Sequence, residues 1–588
     1  MAIKRTSIDF AVAAKEYTPK QLNAQTCKNW YGVYDETAKF KNVLFPFPGS
    51  LLWSDDGGTH KAVRGMYSLN GNFYGIVDDE FRIYNDTGEW NKIGTLNTGE
   101  GFVKFMANDN QIFLTDYQNG YVYQLVTTTT RTKGDFFRIA NASSFIGKAV
   151  FGGSGLNDMT ALGIYTGESN KTYRIEIDGN GTPNTFRWSN DAGVTWEASA
   201  VPITAVDQIL ENGVQVVFSH ANGHTLLDYW TVQVTIDSAF YPPIIPIYLD
   251  SYGIFPKANT QRFYLSSSED FSVINALDYS STNAFPDNIV CGVALNEEIV
   301  FIGTCTTEIW YDTGLSPFPL QRRPNLLLNW GTSAPYSLAW ASNNAIFWLA
   351  QSVNGGRVVV MMSNYNVQVI SDPALNEKLQ NYAYVDDAFG FVCEWTGKIF
   401  YFLTIPSADI TWVYDFDAKA WRQRTTLRAS EDLKKQDYKE GRYLANCHVY
   451  HNGEHYIGDW KSGNIYKMSN TYFKDGTMAI INEAITPPLH IDANRVSVYS
   501  LQPVLEAATG LVSGQGTEPT VMLQYSTDGG YTWSSEMWRT HGKVGEYDRR
   551  AKWDKLGYGR QTVFKIRISD PVYKVLMGAI VELEDTGS

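Results

Sequence analysis

The chain has 588 residues, several times the size of a usual domain, so more than one core is expected. Aromatic residues at 14%, 49 glycines and only 19% charged residues point to many short strands joined by tight turns, and a net charge of −14 opposes the basic footprint of a protein that grips nucleic acid. Five widely spaced cysteines, Cys27, Cys291, Cys305, Cys393 and Cys447, form no C-x-x-C pair, which signals neither a disulfide framework nor a zinc site and leaves buried thiols as the reading.

At the N-terminus the apolar stretch 8–14 is interrupted by Asp9 and ended by Lys15 and Glu16, so no signal peptide is expected. No run approaches transmembrane length, and the chain is expected to be soluble. From residue 65 onward a unit recurs: a strand, a turn rich in Gly, Asn or Asp, and a second strand ending in aromatics. It occupies 65–84, 103–125, 292–311, 339–361, 384–422 and 448–466, and Asn70-Gly71, Asn119-Gly120 and Asn452-Gly453 are pairs that tolerate positive φ in two-residue hairpins. Hairpins continuing over such a length predict an all-β chain built on a degenerate β-propeller rather than a single sandwich.

Between 158 and 246 the style changes to compact period-two strands. Tyr173, Ile175 and Ile177 alternate with Arg174, Glu176 and Asp178, and Val214, Val216 and Phe218 with Gln215, Val217 and Ser219. A small β-sandwich inserted into the propeller is predicted, with 241–246 (YPPIIP) as its exit. The residue 431–442 stretch reads as a solvated charged loop. After Pro487-Pro488, Val521, Leu523 and Tyr525 and then Phe564, Ile566 and Ile568 mark half-buried strands of a C-terminal β domain. The predicted organisation is an N-terminal segment with the first blades (1–157), the insert (158–246), the remaining blades (247–488) and a C-terminal platform (489–588).

Two copies of S-x-D-x-G-x-T-W stand out: Ser189, Asp191, Gly193, Thr195, Trp196, and Ser526, Asp528, Gly530, Thr532, Trp533. This is the Asp-box, a hairpin lock in which the carboxylate accepts backbone N–H groups across the turn. It resembles the repeat of sialidases, which makes a propeller glycosidase the alternative reading, and a carbohydrate-binding propeller a third. Phe137, Arg138 and Ile139 match part of the sialidase FRIP element, but Ala140 replaces its Pro, and both boxes fall outside the expected propeller. His448, His451 and His455 look like a ligand set until Asn452-Gly453 is taken as the turn; His448 and His455 then share a face and His451 points away, so three-His metal binding is not expected. The stretch 176–182 (EIDGNGT) lacks the spaced acids of an EF-hand. Trp348, Trp395, Trp412 and Trp421 read as core or interface residues, without the interleaved cations of a nucleic-acid groove. No catalytic residue, cofactor or metal is assigned.

The order of segments resembles the packaged-DNA-stabilisation, or tail-hub, proteins of short-tailed bacteriophages. The resemblance is carried by FPFPGS (45–50) and 63–85, by 290–314 and 326–350, and by 523–533, 547–553, 556–569 and 580–584 at the C-terminus. It implies a structural virion protein in the phage tail, assembled in the host cytoplasm: a homo-oligomeric ring, a hexamer, below the portal and its adaptor. It also implies neighbours among tail needle, fibre or tailspike proteins, and transient, non-specific contact with passing DNA. An acidic conduit fits, because cationic walls would hold phosphates in place. Arg322, Arg323 and Trp330 in 317–330 (PFPLQRRPNLLLNW) are the expected ring-interface residues, with a buried strand at 326–328 as the equal alternative.

Overall fold

Antiparallel meanders account for most of the chain. The computed structural model describes all residues except 1–3, 11–12, 18–19, 21–22, 38–39, 59, 130, 142–143, 164, 166, 168, 237–239, 317, 430–437, 490–493 and 586–588. Its contacts divide into two compact units, 1–105 with 283–311 and 321–588, and 106–282 with 312–320. The fold is all-β, and among the described residues a single α-helix occurs, Pro373–Asn381, started by Pro373 and capped by Asp372, whose carboxylate accepts the Leu375 N–H at 2.9 Å.

Among the described residues seven groups of four antiparallel strands, each the size of a propeller blade, follow one another, five as separate sheets and the last two as parts of larger sheets. Five belong to the larger unit. The first blade runs from Val63–Leu69 to Trp90–Thr95, the fourth from Ile289–Leu295 to Leu320–Leu328, the fifth from Ala339–Trp340 to Asn366–Val369, and the sixth from Phe389–Trp395 to Ala420–Gln423. The seventh comprises Ala445–His451, Glu454–Asp459 and Ile465–Ser469, and its fourth strand is Gly49–Ser54, which precedes the first blade in the chain. Second strands such as Glu298–Gly303 and Lys398–Ile405 are apolar without alternation, because both their faces are covered. Successive blades share cores: Phe347, Tyr401, Trp412 and Trp421 between the fifth and sixth, Phe402, Val413 and Ile457 between the sixth and seventh.

The larger unit also holds a β-sandwich. One of its sheets contains Trp30–Tyr34, Asn42–Pro46, Val496–Leu505 and Leu576–Asp585. The other continues without a break from the sixth blade: Gln423 bridges in parallel to Lys28, and the Cys27–Lys28 pair leads on to Asn482–Ile485, Val563–Ile568, Thr520–Ser526 and Met537–Thr540. The core between them takes Cys27, Trp30 and Leu44 from the N-terminal segment with Leu501, Leu523, Phe564, Ile566 and Val581. The N-terminal segment therefore completes the C-terminal domain, where the sequence placed it with the first blades. Trp30 Nε1 donates to the Lys574 carbonyl at 2.8 Å, and the buried Lys574 amine donates to Ile480 O and Asn482 Oδ1 at 2.8 and 3.1 Å.

In the smaller unit the second blade, from Lys104–Ala107 to Phe136–Ile139, and the third, from Ile247–Leu249 to Asp270–Ser281, share a core of Phe113, Val122, Phe240, Phe255 and Phe271. Between them in sequence lies the insert, a six-stranded sheet and a three-stranded sheet around Tyr173, Ile175, Ile177, Val214, Val216, Phe218 and Trp230. Its first strands, Ser144–Ile146 and Val150–Gly152, pair with Tyr229–Ile236, so the insert opens before residue 158.

Two turn readings are corrected. Asn70-Gly71 and Asn452-Gly453 do take positive φ at both positions (50° and 75°, 46° and 85°), but Gly120 is a strand residue paired with Thr115. The Asp116 carboxylate captures the N–H groups of Gln118 and Asn119, and this closes a longer loop. In the 431–442 stretch, Tyr438–Arg442 is a strand paired with Thr425–Ala429, since a charged sequence can still complete an edge ladder; 431–437 lie outside the described residues.

Candidate site on the blade-six and blade-seven strands

The register of the seventh blade explains its histidines. With Asn452-Gly453 as the turn, His451 pairs with Glu454, Tyr450 with His455 and His448 with Ile457. His448, Tyr450 and His455 thus share one face, as period-two geometry requires. His448 Nε2 lies 2.9 Å from His455 Nδ1. His451 projects from the other face, with Nδ1 2.9 Å from Ser68 Oγ and its ring edge-on to Phe73.

A third group comes from the sixth blade. Cys393, on Phe389–Trp395, places Sγ 3.6 Å from His455 Nδ1, and the donor atoms of Cys393, His448 and His455 all lie within 4.8 Å of one another. Phe391 stacks on His448 with ring centroids 5.3 Å apart. The two imidazoles line a cleft of about 880 Å3 whose walls include Trp340, Phe391, Trp395 and Tyr450. Burial pushes the Cys393 thiol well above its usual range and lowers His448 to about 3, with a further lowering from His455. His455 is lowered too, chiefly by burial and against a hydrogen bond to the Glu394 backbone. At neutral pH the cluster is a neutral N,N,S donor set with no ionised nucleophile. Sequence reading paired the two histidines but not the cysteine, which lies on a neighbouring blade and has no local signal.

The two Asp-boxes sit elsewhere and have one hydrogen-bond pattern. In the insert, Ser189 Oγ donates to Asp191 at 2.5 Å and accepts from Gly193 N at 2.8 Å, while Asp191 accepts the N–H groups of Val194 and Thr195 at 2.9 Å and the Thr195 hydroxyl at 2.6 Å. In the sandwich, Ser526, Asp528, Gly530, Tyr531 and Thr532 repeat each of these bonds within 0.1 Å. Gly193 and Gly530 carry φ of 98° and 101°, where a side chain would be strained. The hydrogen bonds hold Asp191 below the usual carboxylate range and, against desolvation, Asp528 down to about 2. Each carboxylate is thus consumed by its own turn. Trp196 and Trp533 are half-buried, under the Arg187 guanidinium at 4.0 Å and the Lys565 ammonium at 4.1 Å. Arg138 of the FRI segment donates to Asn119 Oδ1 at 3.0 Å, within the second blade.

Arg322 and Arg323 lie on Leu320–Leu328, the last strand of the fourth blade, half-buried rather than in a loop. Arg323 pairs with Glu298, which also accepts the Tyr365 hydroxyl at 2.6 Å. The Trp330 carbonyl accepts the Thr307 hydroxyl at 2.6 Å, so the backbone there is fixed within the blade. Leu326, Leu327 and Leu328 are half-buried, between the two alternatives the sequence left open.

Comparison with known proteins gives two family matches. Residues 208–473 match the model described as bacteriophage P22 Gp10, beta-propeller, which starts inside the insert and takes in blades three to seven. Residues 482–584 match the model described as bacteriophage P22 Gp10, beta-sandwich. Together they take in well over half of the chain. No curated protein sequence matches. Among solved structures, the computationally designed Ika8 protein is 9% identical over 72% of this chain and 100% of its own, with a TM-score of 0.31. The Pan2 WD40 domain of Neurospora crassa is 8% identical over 72% and 95%, with 0.34. An exo-beta-1,3-galactanase of Phanerochaete chrysosporium is 9% identical over 91% and 100%, with 0.21.

Proposed function

The chain belongs to the bacteriophage P22 Gp10 family, a phage structural family that stabilises packaged DNA, and on that premise we propose that it is the subunit of a ring-shaped tail hub. The ring sits below the portal and its adaptor, retains the packaged genome and lets it pass at ejection. The proposed work is mechanical: no reacting group is needed to hold a DNA column, only a stiff wall that does not adhere to phosphate.

The observation that carries this reading is the unbroken sheet joining blade six to the sandwich through Lys28. A hinge between two such domains would need a backbone segment free of cross-strand bonds; here Lys28 bridges to Gln423 and the Asn29 N–H donates to the Gln423 carbonyl at 2.9 Å, so the join itself is hydrogen-bonded. The net charge of −14 supports a wall from which DNA releases quickly, because few phosphate contacts means little counterion-release affinity. The open edge at Leu320–Leu328, with Arg322 on it, is the proposed surface for the neighbouring subunit.

Phage particles assembled without this protein, imaged by electron microscopy, test the reading. Heads that fill and then lose DNA support a retaining hub. Heads that keep their DNA, with a complete tail above the missing part, overturn it.

A further inference from the structure

We propose that Cys393, His448 and His455 bind one zinc ion, which ties the first strand of the sixth blade to the first hairpin of the seventh. Zinc takes imidazole nitrogen at about 2.0–2.1 Å and thiolate sulfur at about 2.3 Å, so a tetrahedral ion sets its nitrogens roughly 3.3 Å apart and nitrogen to sulfur roughly 3.6 Å apart. The structure has 2.9 Å between His448 Nε2 and His455 Nδ1 and 3.6 Å between His455 Nδ1 and Cys393 Sγ. The third separation, His448 to Cys393, is within 4.8 Å, so opening the histidine pair and drawing the sulfur in admits the ion.

The surroundings favour it in two further ways. His455 Nδ1 faces both His448 Nε2 and Cys393 Sγ, so one edge of its ring is already turned to the other two donors. Among the described residues the grouped donors are two imidazoles and a thiol, in a cleft lined by Phe391, Trp395 and Tyr450 and also by Glu394 and Glu454, and a nitrogen and sulfur set suits zinc and not calcium or magnesium. Binding displaces the thiol proton: the Cys393 S–H bond breaks, the sulfur lone pair forms the Zn–S bond, and one proton leaves to solvent. The His448 ring gives up the Nε2 hydrogen bond to its partner and carries its proton on Nδ1. Water in the cleft fills the fourth position.

The test uses the full-length protein, stripped with a chelator and titrated with cobalt(II) and then zinc(II). The expected result is one equivalent per chain, with a sulfur-to-cobalt charge-transfer band that zinc abolishes, and release of about one proton per ion. Cys393→Ala removes the band, His448→Gln and His455→Gln each weaken binding by at least about 100-fold, and His451→Gln leaves it unchanged. A wild-type protein that shows no charge-transfer band overturns the proposal by itself, whatever the variants do, and so does a band that survives in Cys393→Ala.

Discussion

The insert and the C-terminal sandwich carry the same hairpin lock, yet they are built into the molecule in opposite ways. All strands of the insert pair with one another, and its core is drawn from one continuous stretch, Met159 to Val234. The sandwich gathers its core from both ends of the chain, Phe10 to Leu44 and Ala484 to Leu583, and shares a sheet with the sixth blade. One is a closed cassette whose contacts are local. The other closes only when residues some four hundred positions apart have met, so its stability cannot be separated from that of the blades.

Trp30→Ala should give the largest effect. The side chain is buried in the sandwich core and its indole N–H is bonded to Lys574 O, so truncation costs about 3–5 kcal/mol and lowers blades and sandwich together in calorimetry. Ile175→Ala should cost about 2–5 kcal/mol but lower only the transition of the insert, leaving the rest in place. A single shared shift in the second variant would mean that the insert does not unfold apart from the rest.

The two regions also differ in their response to pH. Burial lowers the Lys574 amine to about 7, against the pull of Asp570, so the folded state holds fewer protons than the unfolded one between pH 7 and about 10.5. Stability must therefore rise with pH across that window, by about 2–3 kcal/mol from pH 7 to 9, and only for the transition that includes the sandwich. Urea midpoints at several pH values measure the slope, and Lys574→Met removes it. The smallest effect is expected of Asp528→Asn, about 1 kcal/mol, the scale of a lost turn cap. Asp191→Asn should act in the same direction but in the insert alone, both read by calorimetry.

What the sequence revealed follows the same division between local and distant. The Asn452-Gly453 turn fixes its own register, so the shared face of His448 and His455 was legible from spacing. So were Tyr173, Ile175 and Ile177 as a core face, since alternation needs no partner. Cys393 was not legible as their neighbour, because its approach depends on how one blade stacks on the next. Nor was the transfer of Cys27, Trp30 and Leu44 into the C-terminal core, as a two-residue strand such as Cys27–Lys28 leaves no period to read. Asn119-Gly120 misled because an aspartate three residues earlier offered the backbone better acceptors than a tight turn does.

The strand Gly49–Ser54 leaves the ribosome before any blade exists, yet its partner Ile465–Ser469 is made more than four hundred residues later. Throughout translation the nascent chain must carry this segment, with Leu51 and Leu52, as an unclaimed ribbon. The seventh blade is closed by a strand that precedes all the other blade strands in the chain, so a chain cut short before residue 465 lacks the partner of Gly49–Ser54.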